Sequence, residues 1–356
     1  MANIHDHVDY VFDEIVSYAG HDFALPTDTR SKMKPAPPGD KEQLDLFKTL
    51  SKSQKTNILP GVFVGEFYGD NTRYLIVNLP REEERDDSFN GAFEDADFSA
   101  PMEAESLYCV KEFGLKVNRR NSKSLVMNNL LYQQEEEEYA GHNLLEVFEY
   151  FETFSLCRID NSHILYDISF DSLTYLITMQ FEELIPLPLD QTLSQYAEVF
   201  AKKELRPIAN IFLSLTSTHW KHAFLELYRC FEGLFVIPSA LCLKQSIDYE
   251  GKAIELADKC IDSLDWRRKE EISLRKLLQE CMKSELFNTK LDETSFFGDL
   301  ESKSPEKVAN KLYKLRNINV HQAKETSDLQ DNDWVQLLSL MLVGIEHLYE
   351  SYSEDL

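Results

Sequence analysis

The 356-residue chain has no apolar run approaching the roughly 18 residues that a membrane-spanning helix needs. Its first residues, Met1-Ala2-Asn3-Ile4-His5-Asp6-His7, have no basic stretch leading into an apolar one. A cytoplasmic protein that is neither secreted nor membrane-bound is the expectation. Cys-x-x-Cys pairs are also missing, for Cys109, Cys157, Cys230, Cys242, Cys260 and Cys281 lie far apart. That spacing predicts reduced core thiols, not a zinc site or a disulfide framework. Basic residues are scarce, with 37 Lys and Arg against 62 Asp and Glu for a net charge of -25. Broad adsorption to nucleic acid or an anionic membrane is thereby excluded, since phosphate binding needs many cations to release counterions. Any nucleic-acid site has to be local. No repeat is evident, and the N-terminal part has no spaced Asp…Glu-x-Lys set of the kind a metal-dependent DNA nuclease requires.

What is present divides into two parts, as the length leads one to expect. Residues 211–356 carry 18 basic and 25 acidic side chains, against 19 and 37 over residues 1–210, so most of the acidity is N-terminal. The chain opens with Ile4, Val8, Val11, Phe12, Ile15 and Val16 at helical spacing, stopping near Gly20. A proline-rich loop (Pro26, Pro35, Pro37, Pro38) and a short helix over 41–52 follow. Residues 61–67 and 73–79 are β-branched and aromatic around Tyr68-Gly-Asp-Asn71, which predicts a hairpin. Residues 81–105 contain ten acids among Phe89, Phe93 and Phe98, the composition of a mobile acidic loop. Strands are expected at 107–117, 124–133, 163–170 and 173–181, with a helix at 143–154, making residues 1–200 an α+β domain. Pro186, Pro188 and Pro207 flank a helix at 191–202 and put the boundary at 190–210.

From there the pattern is helical throughout, over 219–235, 249–264 and 266–282, then from Ser304-Pro305-Glu306 and from Asp331. Ser304 suits the cap, Pro305 the first turn, and Glu306 the positive end of the dipole. Five helices with short connections describe an all-α bundle over 210–356.

Near the end of the fourth helix stands Arg316-Asn-Ile-Asn-Val-His321. Arg158-Ile-Asp-Asn-Ser-His163 has the same spacing, but its Asp-Asn-Ser is turn chemistry between expected strands. The segment Lys311-Leu-Tyr-Lys-Leu-Arg-Asn-Ile-Asn-Val-His-Gln322, preceded by Phe224-Leu-Glu-Leu-Tyr-Arg-Cys-Phe-Glu-Gly-Leu-Phe235, resembles the HEPN superfamily (higher eukaryote and prokaryote nucleotide-binding domains), particularly its Apea-like defence branch with an Arg-x4-6-His signature. The likeness covers residues 219–356 and does not extend to 1–200. It implies a helical bundle with a metal-independent ribonuclease site of Arg316, His321 and Asn317 and an inward acid, Glu232 or in reserve Glu226. It further implies an RNA substrate, a cyclic phosphate product and a homodimer with facing motifs.

The chemistry follows from the residues as well. RNA carries its own nucleophile in the 2′-hydroxyl, so cleavage needs a base, an acid and positive charge for the phosphorane. Imidazole titrates near neutrality and suits His321 to the first task, while the Arg316 fork stays charged and matches phosphate oxygens. On a regular helix these positions are about 140° apart, so either the helix frays after Asn317 or two protomers complete each site. Lys303, Lys307, Lys311, Lys314, Arg316 and Lys324 face Glu306 alone in this window, and Lys307, Lys311 and Lys314 share an arc with His321 as a candidate path for an RNA backbone.

The competing account makes Arg316 a salt-bridge partner of Glu232, His321 a helix C-terminal residue and the lysines a solvated face. His5-Asp6-His7 and His219-x-x-His222 have metal-like spacing without a third ligand, so neither a metal nor another cofactor is expected. Ala323 stands where one HEPN branch has a regulatory tyrosine. The resulting expectation is an endoribonuclease acting in phage defence by abortive infection, or as a regulated toxin. Its N-terminal domain senses a phage-derived trigger or partner protein, or restrains the nuclease. The alternative is a non-catalytic dimerisation or partner-binding module.

Overall fold

The computed structural model describes residues 4–20, 41–80, 93, 96–131, 141–201, 207–264, 269–321 and 329–356, at 264 and 321 for the backbone alone. These fall into two compact units that divide at Phe170 and Asp171. The proline loop, residues 81–92 of the expected acidic loop, and Lys324 lie outside the described residues.

The first unit is α+β. Helices α1 (Ile4–Ala19), α2 (Lys41–Thr49) and α3 (Glu103–Phe113) cover a four-stranded antiparallel sheet of order β1-β2-β3-β4. Its strands are β1 (Ser51–Leu59), β2 (Val62–Gly69), β3 (Thr72–Val77) and β4 (Ser155–Asp160). The expected hairpin is β2 and β3, paired from Val64↔Val77 to Gly69↔Thr72. Its two turn residues, Asp70 (φ 49°) and Asn71 (φ 62°), are both left-handed, which matches the twist of the strands and suits Asn and Asp. One sheet face (Phe63, Phe67, Tyr74, Ile76, Leu156) packs on Val11, Phe12, Leu107 and Phe113. Gly65 is what lets α3 approach, since a Cβ there would lie 2.1 Å from Phe113 Cε1.

The sequence expectation errs elsewhere in this unit. Residues 107–117 are largely helix α3, in which every residue from Ala104 to Val110 is buried. Burial on all sides erases the helical stripe and leaves an apolar run that reads as a strand. In the second unit, 173–178 is helical for the same reason, in α6 (Phe170–Thr178). Residues 124–131 form α4 (Lys123–Val126), capped by Ser122, and a π-turn (Met127–Leu131); the expected helix at 143–154 shrinks to α5 (Leu144–Phe148). Residues 163–168 are turns, and Ile164 is 79% exposed. Strand β1 escaped notice because it is a polar edge strand, Ser-Lys-Ser-Gln-Lys-Thr-Asn, with no apolar alternation to reveal it.

Two arginines lock the sheet. Arg73 pairs with Glu66, both nearly fully buried, and its Nη1 donates to the carbonyls of Tyr166 (2.7 Å) and Ile168 (2.6 Å). Arg158 grips Glu105 with two bonds (2.8 and 2.5 Å) and also meets Asp97 at 3.1 Å. Asp97 and Glu105, counted in the expected mobile loop, are therefore fixed structural residues.

The second unit is all helix among the described residues. After α6 come α7 (Leu193–Ala201), α8 (Ile208–Leu215), α9 (Trp220–Leu234), α10 (Ile237–Ser246), α11 (Ala253–Leu264), α12 (Glu270–Cys281), α13 (Glu285–Glu293), α14 (Pro305–His321) and α15 (Asp331–Ser351). The boundary thus falls earlier than 190–210. Pro186 and Pro188 follow a 3₁₀ turn (Glu182–Leu184) in a packed segment with Leu184, Leu187 and Leu189 buried, and α7 packs on α15. Helix α15 is the axis of the bundle, touching α7, α9, α12 and α13, and is buried almost without a break from Leu337 to Ile345. Helix α14 starts as expected, with Ser304 Oγ accepting from Lys307 N at 3.4 Å. Pro238 follows the end of α9 and occupies the first turn of α10.

Candidate functional site

Helices α9 and α12 both pack on α14, and their polar residues converge on Arg316. Its Nη2 donates to Glu232 Oε1 on α9 at 3.2 Å and lies 3.9 Å from Glu270 Oε2 at the start of α12. Its Nη1 donates to Asn317 Oδ1 at 3.2 Å. Two carboxylates against one guanidinium leave the group formally negative. None of these contacts matches the paired short hydrogen bonds of Arg158 with Glu105, and Glu270 Oε2 accepts no hydrogen bond from the described residues.

Tyr228 sits one helical turn before Glu232 on the same face of α9. It is 1% exposed, and its hydroxyl has no hydrogen-bond partner among the described residues. Burial pushes the phenol well above its ordinary range, Glu232 and Glu270 push it further, and Arg316 pulls it back. The hydroxyl therefore lies within electrostatic reach of all three charges. Neither Tyr228 nor Glu270 was expected from the sequence. Glu270 begins a helix that the apolar pattern started four residues earlier, so it passed for a surface acid.

Of the other expected site residues, Glu226 is elsewhere engaged, accepting from Asn210 Nδ2 at 2.8 Å and pairing with Arg229. It ties α8 to α9. His321 is the last residue of α14, and the backbone is α-helical through it. Fraying after Asn317 is therefore excluded, and positions 316 and 321 point about 140° apart on one rod. Position 321 falls instead about 20° from Lys314.

That second face of α14 borders a pocket of about 470 Å³ lined by Lys311, Lys314, Ile318 and Phe296 among others. The lysines are less free than the linear charge count suggested. Lys303 meets Asp292 at 3.1 Å, Lys307 meets Glu301 at 3.5 Å, and Lys311 pairs with Asp299 while lying over the Phe296 ring. Folding brings these acids from residues 292–301, outside the window in which Glu306 stood alone. Lys314 alone of the three expected RNA-binding lysines has no ion pair among the described residues.

The metal-like histidines are engaged elsewhere. His7 is buried between Phe47 and Tyr108 and lies 3.3 Å from Glu112, while His219 and His222 face each other. Among the described residues no cluster of three or more metal-ligating side chains exists, and no helix is long and apolar enough to cross a membrane. The look-alike Arg158…His163 is structural: Arg158 is locked to Glu105, and His163 Nδ1 accepts from Leu165 N in a turn. Comparison of the chain with protein-family models, curated proteins and solved structures finds no match.

Proposed function

We propose that the second unit is a metal-independent endoribonuclease of HEPN type. The observation that carries this reading is the placement of Arg316 and Asn317 on an unbroken helix that ends at His321, with Arg316 bonded to the acid Glu232 of α9. His321 removes the 2′-hydroxyl proton of RNA, the 2′-oxygen attacks phosphorus, and the bond to the 5′-oxygen breaks as that oxygen takes a proton. Arg316 offsets the charge of the phosphorane, and the product ends in a cyclic phosphate. Because one helix directs positions 316 and 321 apart, a homodimer supplies the two groups of each centre from different protomers. Its role is that of a cytoplasmic phage-defence effector or regulated toxin, with the first unit as sensor or restraint.

A second reading has specific support. Arg316 is held by two carboxylates and most of the lysine stripe by acids, which favours a non-catalytic module that binds a partner protein. The two separate in one assay, RNA cleavage in chelator by wild type, Arg316→Ala and His321→Ala. The ribonuclease reading requires cleavage by wild type and at least a hundredfold loss, or about 2.7 kcal/mol of transition-state stabilisation, in each variant. Intact RNA with the wild type under every activating condition leaves the binding module.

A further inference from the structure

The pocket of about 470 Å³ on the second face of α14 has the size of a small-molecule site, for which roughly 300–1,000 Å³ is usual. Phe296, Leu315 and Ile318 give it apolar walls, and Asp299 and Lys311 line it as an ion pair. Lys311 donates to Oδ1 of Asp299 and lies 4.7 Å from the centre of the Phe296 ring. The carboxylate is thus held in place, while its Oδ2 accepts nothing from another described side chain. Asp333, the other acid of the lining, already accepts from the Ser295 hydroxyl and the Gln330 amide. Lys314 completes the lining as an exposed cation without an ion pair among the described residues.

An apolar hollow with a carboxylate at one side and an exposed ammonium suits a planar heterocycle that bears N–H donors and carries a phosphate. A peptide side chain of either charge would meet its own sign there, from the two lysines or from the two aspartates. Single-stranded RNA is recognised on such terms, by contact with base faces, hydrogen bonds to base edges and cations along the backbone. Of the four RNA bases only guanine has two adjacent donors on its pairing edge, N1–H and N2–H₂, which one carboxylate accepts in parallel. The same face of α14 runs on to the end of the helix. Position 321 lies three residues beyond Ile318, about 4.5 Å of rise, and about 20° round from Lys314.

We propose that this pocket is a guanine subsite for the RNA substrate: Asp299 accepts from N1–H and N2–H₂ of one base, Lys314 meets the adjoining phosphate, and the linkage to be cut is presented at the end of α14. The inference rests on the ribonuclease reading. It adds a base preference that Arg316 and His321 cannot provide, since sugar and phosphate are the same in every nucleotide. Asp299 touches the base and takes no part in bond breaking, and Lys311 acts through it by fixing the carboxylate.

Binding and cleavage are measured separately. The full-length chain is titrated by calorimetry with GMP, IMP and UMP, then with an oligouridylate and the same strand carrying one central guanosine. GMP should bind about tenfold more tightly than IMP, which lacks the N2 amino group, and the guanosine strand about tenfold more tightly than the all-uridine strand. Asp299→Asn, at a side chain 72% exposed and so harmless to the fold, should abolish both differences. In chelator, the wild type should cut the guanosine strand beside its guanosine, and Asp299→Asn should lose that preference. Equal binding of the three nucleotides, binding of none, or a GMP preference that survives Asp299→Asn would overturn the subsite. So would a preference for free GMP without one for the guanosine strand, which would make the occupant a free nucleotide. If the strands are bound with the expected preference and never cut, the ribonuclease reading falls and the guanine site stands. If they are cut at every linkage alike, the subsite falls and the nuclease stands.

Discussion

The chain contains two Arg-x4-His segments, and the contrast between them separates an arginine that builds from an arginine that waits. Arg158 extends from a central part of the first unit's sheet edge into Glu105, which is fully buried, with two short bonds to the same carboxylate and further bonds to Asp97 and Ser99. Every direction in which its fork donates is answered. Arg316 has longer contacts to two acids on different helices and to a neighbouring amide, and on α9 the Tyr228 hydroxyl has no hydrogen-bond partner among the described residues. Equal spacing in sequence thus encodes opposite local energetics, because a sheet flanked by turns fixes one arginine while three packed helices leave the other under-bonded.

Breaking the first arrangement should have the largest effect. Glu105→Ala strands a buried guanidinium, and urea denaturation should show a loss of about 3–5 kcal/mol from the first unit. Arg316→Ala, removing a more exposed and looser pair, should change stability by only about 1 kcal/mol in the same measurement. A loss as large as that of Glu105→Ala would erase the distinction between the two arginines.

Among the lysines of α14, Lys314→Ala should weaken binding of single-stranded RNA more than Lys311→Ala, because Lys311 is already neutralised by Asp299. Fluorescence titration across salt concentrations should show the slope of log affinity against log salt falling by about 0.7 for Lys314→Ala. No change of slope would remove this face of the helix from the RNA path.

The smallest effect sharpens the same comparison from the Arg158 side. Burial opposes ionisation of Asp97, but bonds from Ser99 and the charge of Arg158 outweigh it and hold the carboxyl below its ordinary value of 3.8. A lowered folded-state value stabilises above that pH, and the contribution disappears as pH falls through the folded value. Since Asp97 is half exposed, Asp97→Asn should lower stability by less than about 1 kcal/mol at pH 7, after allowance for solvent screening, and by nothing once the pH has fallen below the folded-state value.

The second unit was the more legible of the two. Its α9 and α14 have one apolar face and one polar face, so the helical period survives in the sequence, and Ser304-Pro305 announces the start of α14. In the first unit, α3 is buried all round and β1 is exposed all along, and both conditions flatten the periodic signal. Within the site, Arg316, Asn317 and Glu232 were legible because each belongs to a motif or to an amphipathic helix. Tyr228 read as one more core aromatic, and nothing in a sequence reveals that a hydroxyl lacks a partner. The acids that neutralise the lysines were hidden too, being brought in by the turn between α13 and α14.

The straightness of α14 carries one consequence for how such an enzyme is counted. If each centre draws its guanidinium and imidazole from different copies, two crippled chains repair each other: in a mixture of Arg316→Ala and His321→Ala subunits, every hybrid pair regains one whole centre and sacrifices the other. Activity reborn from two dead preparations would be the signature of a rod too regular to bend its own ends together.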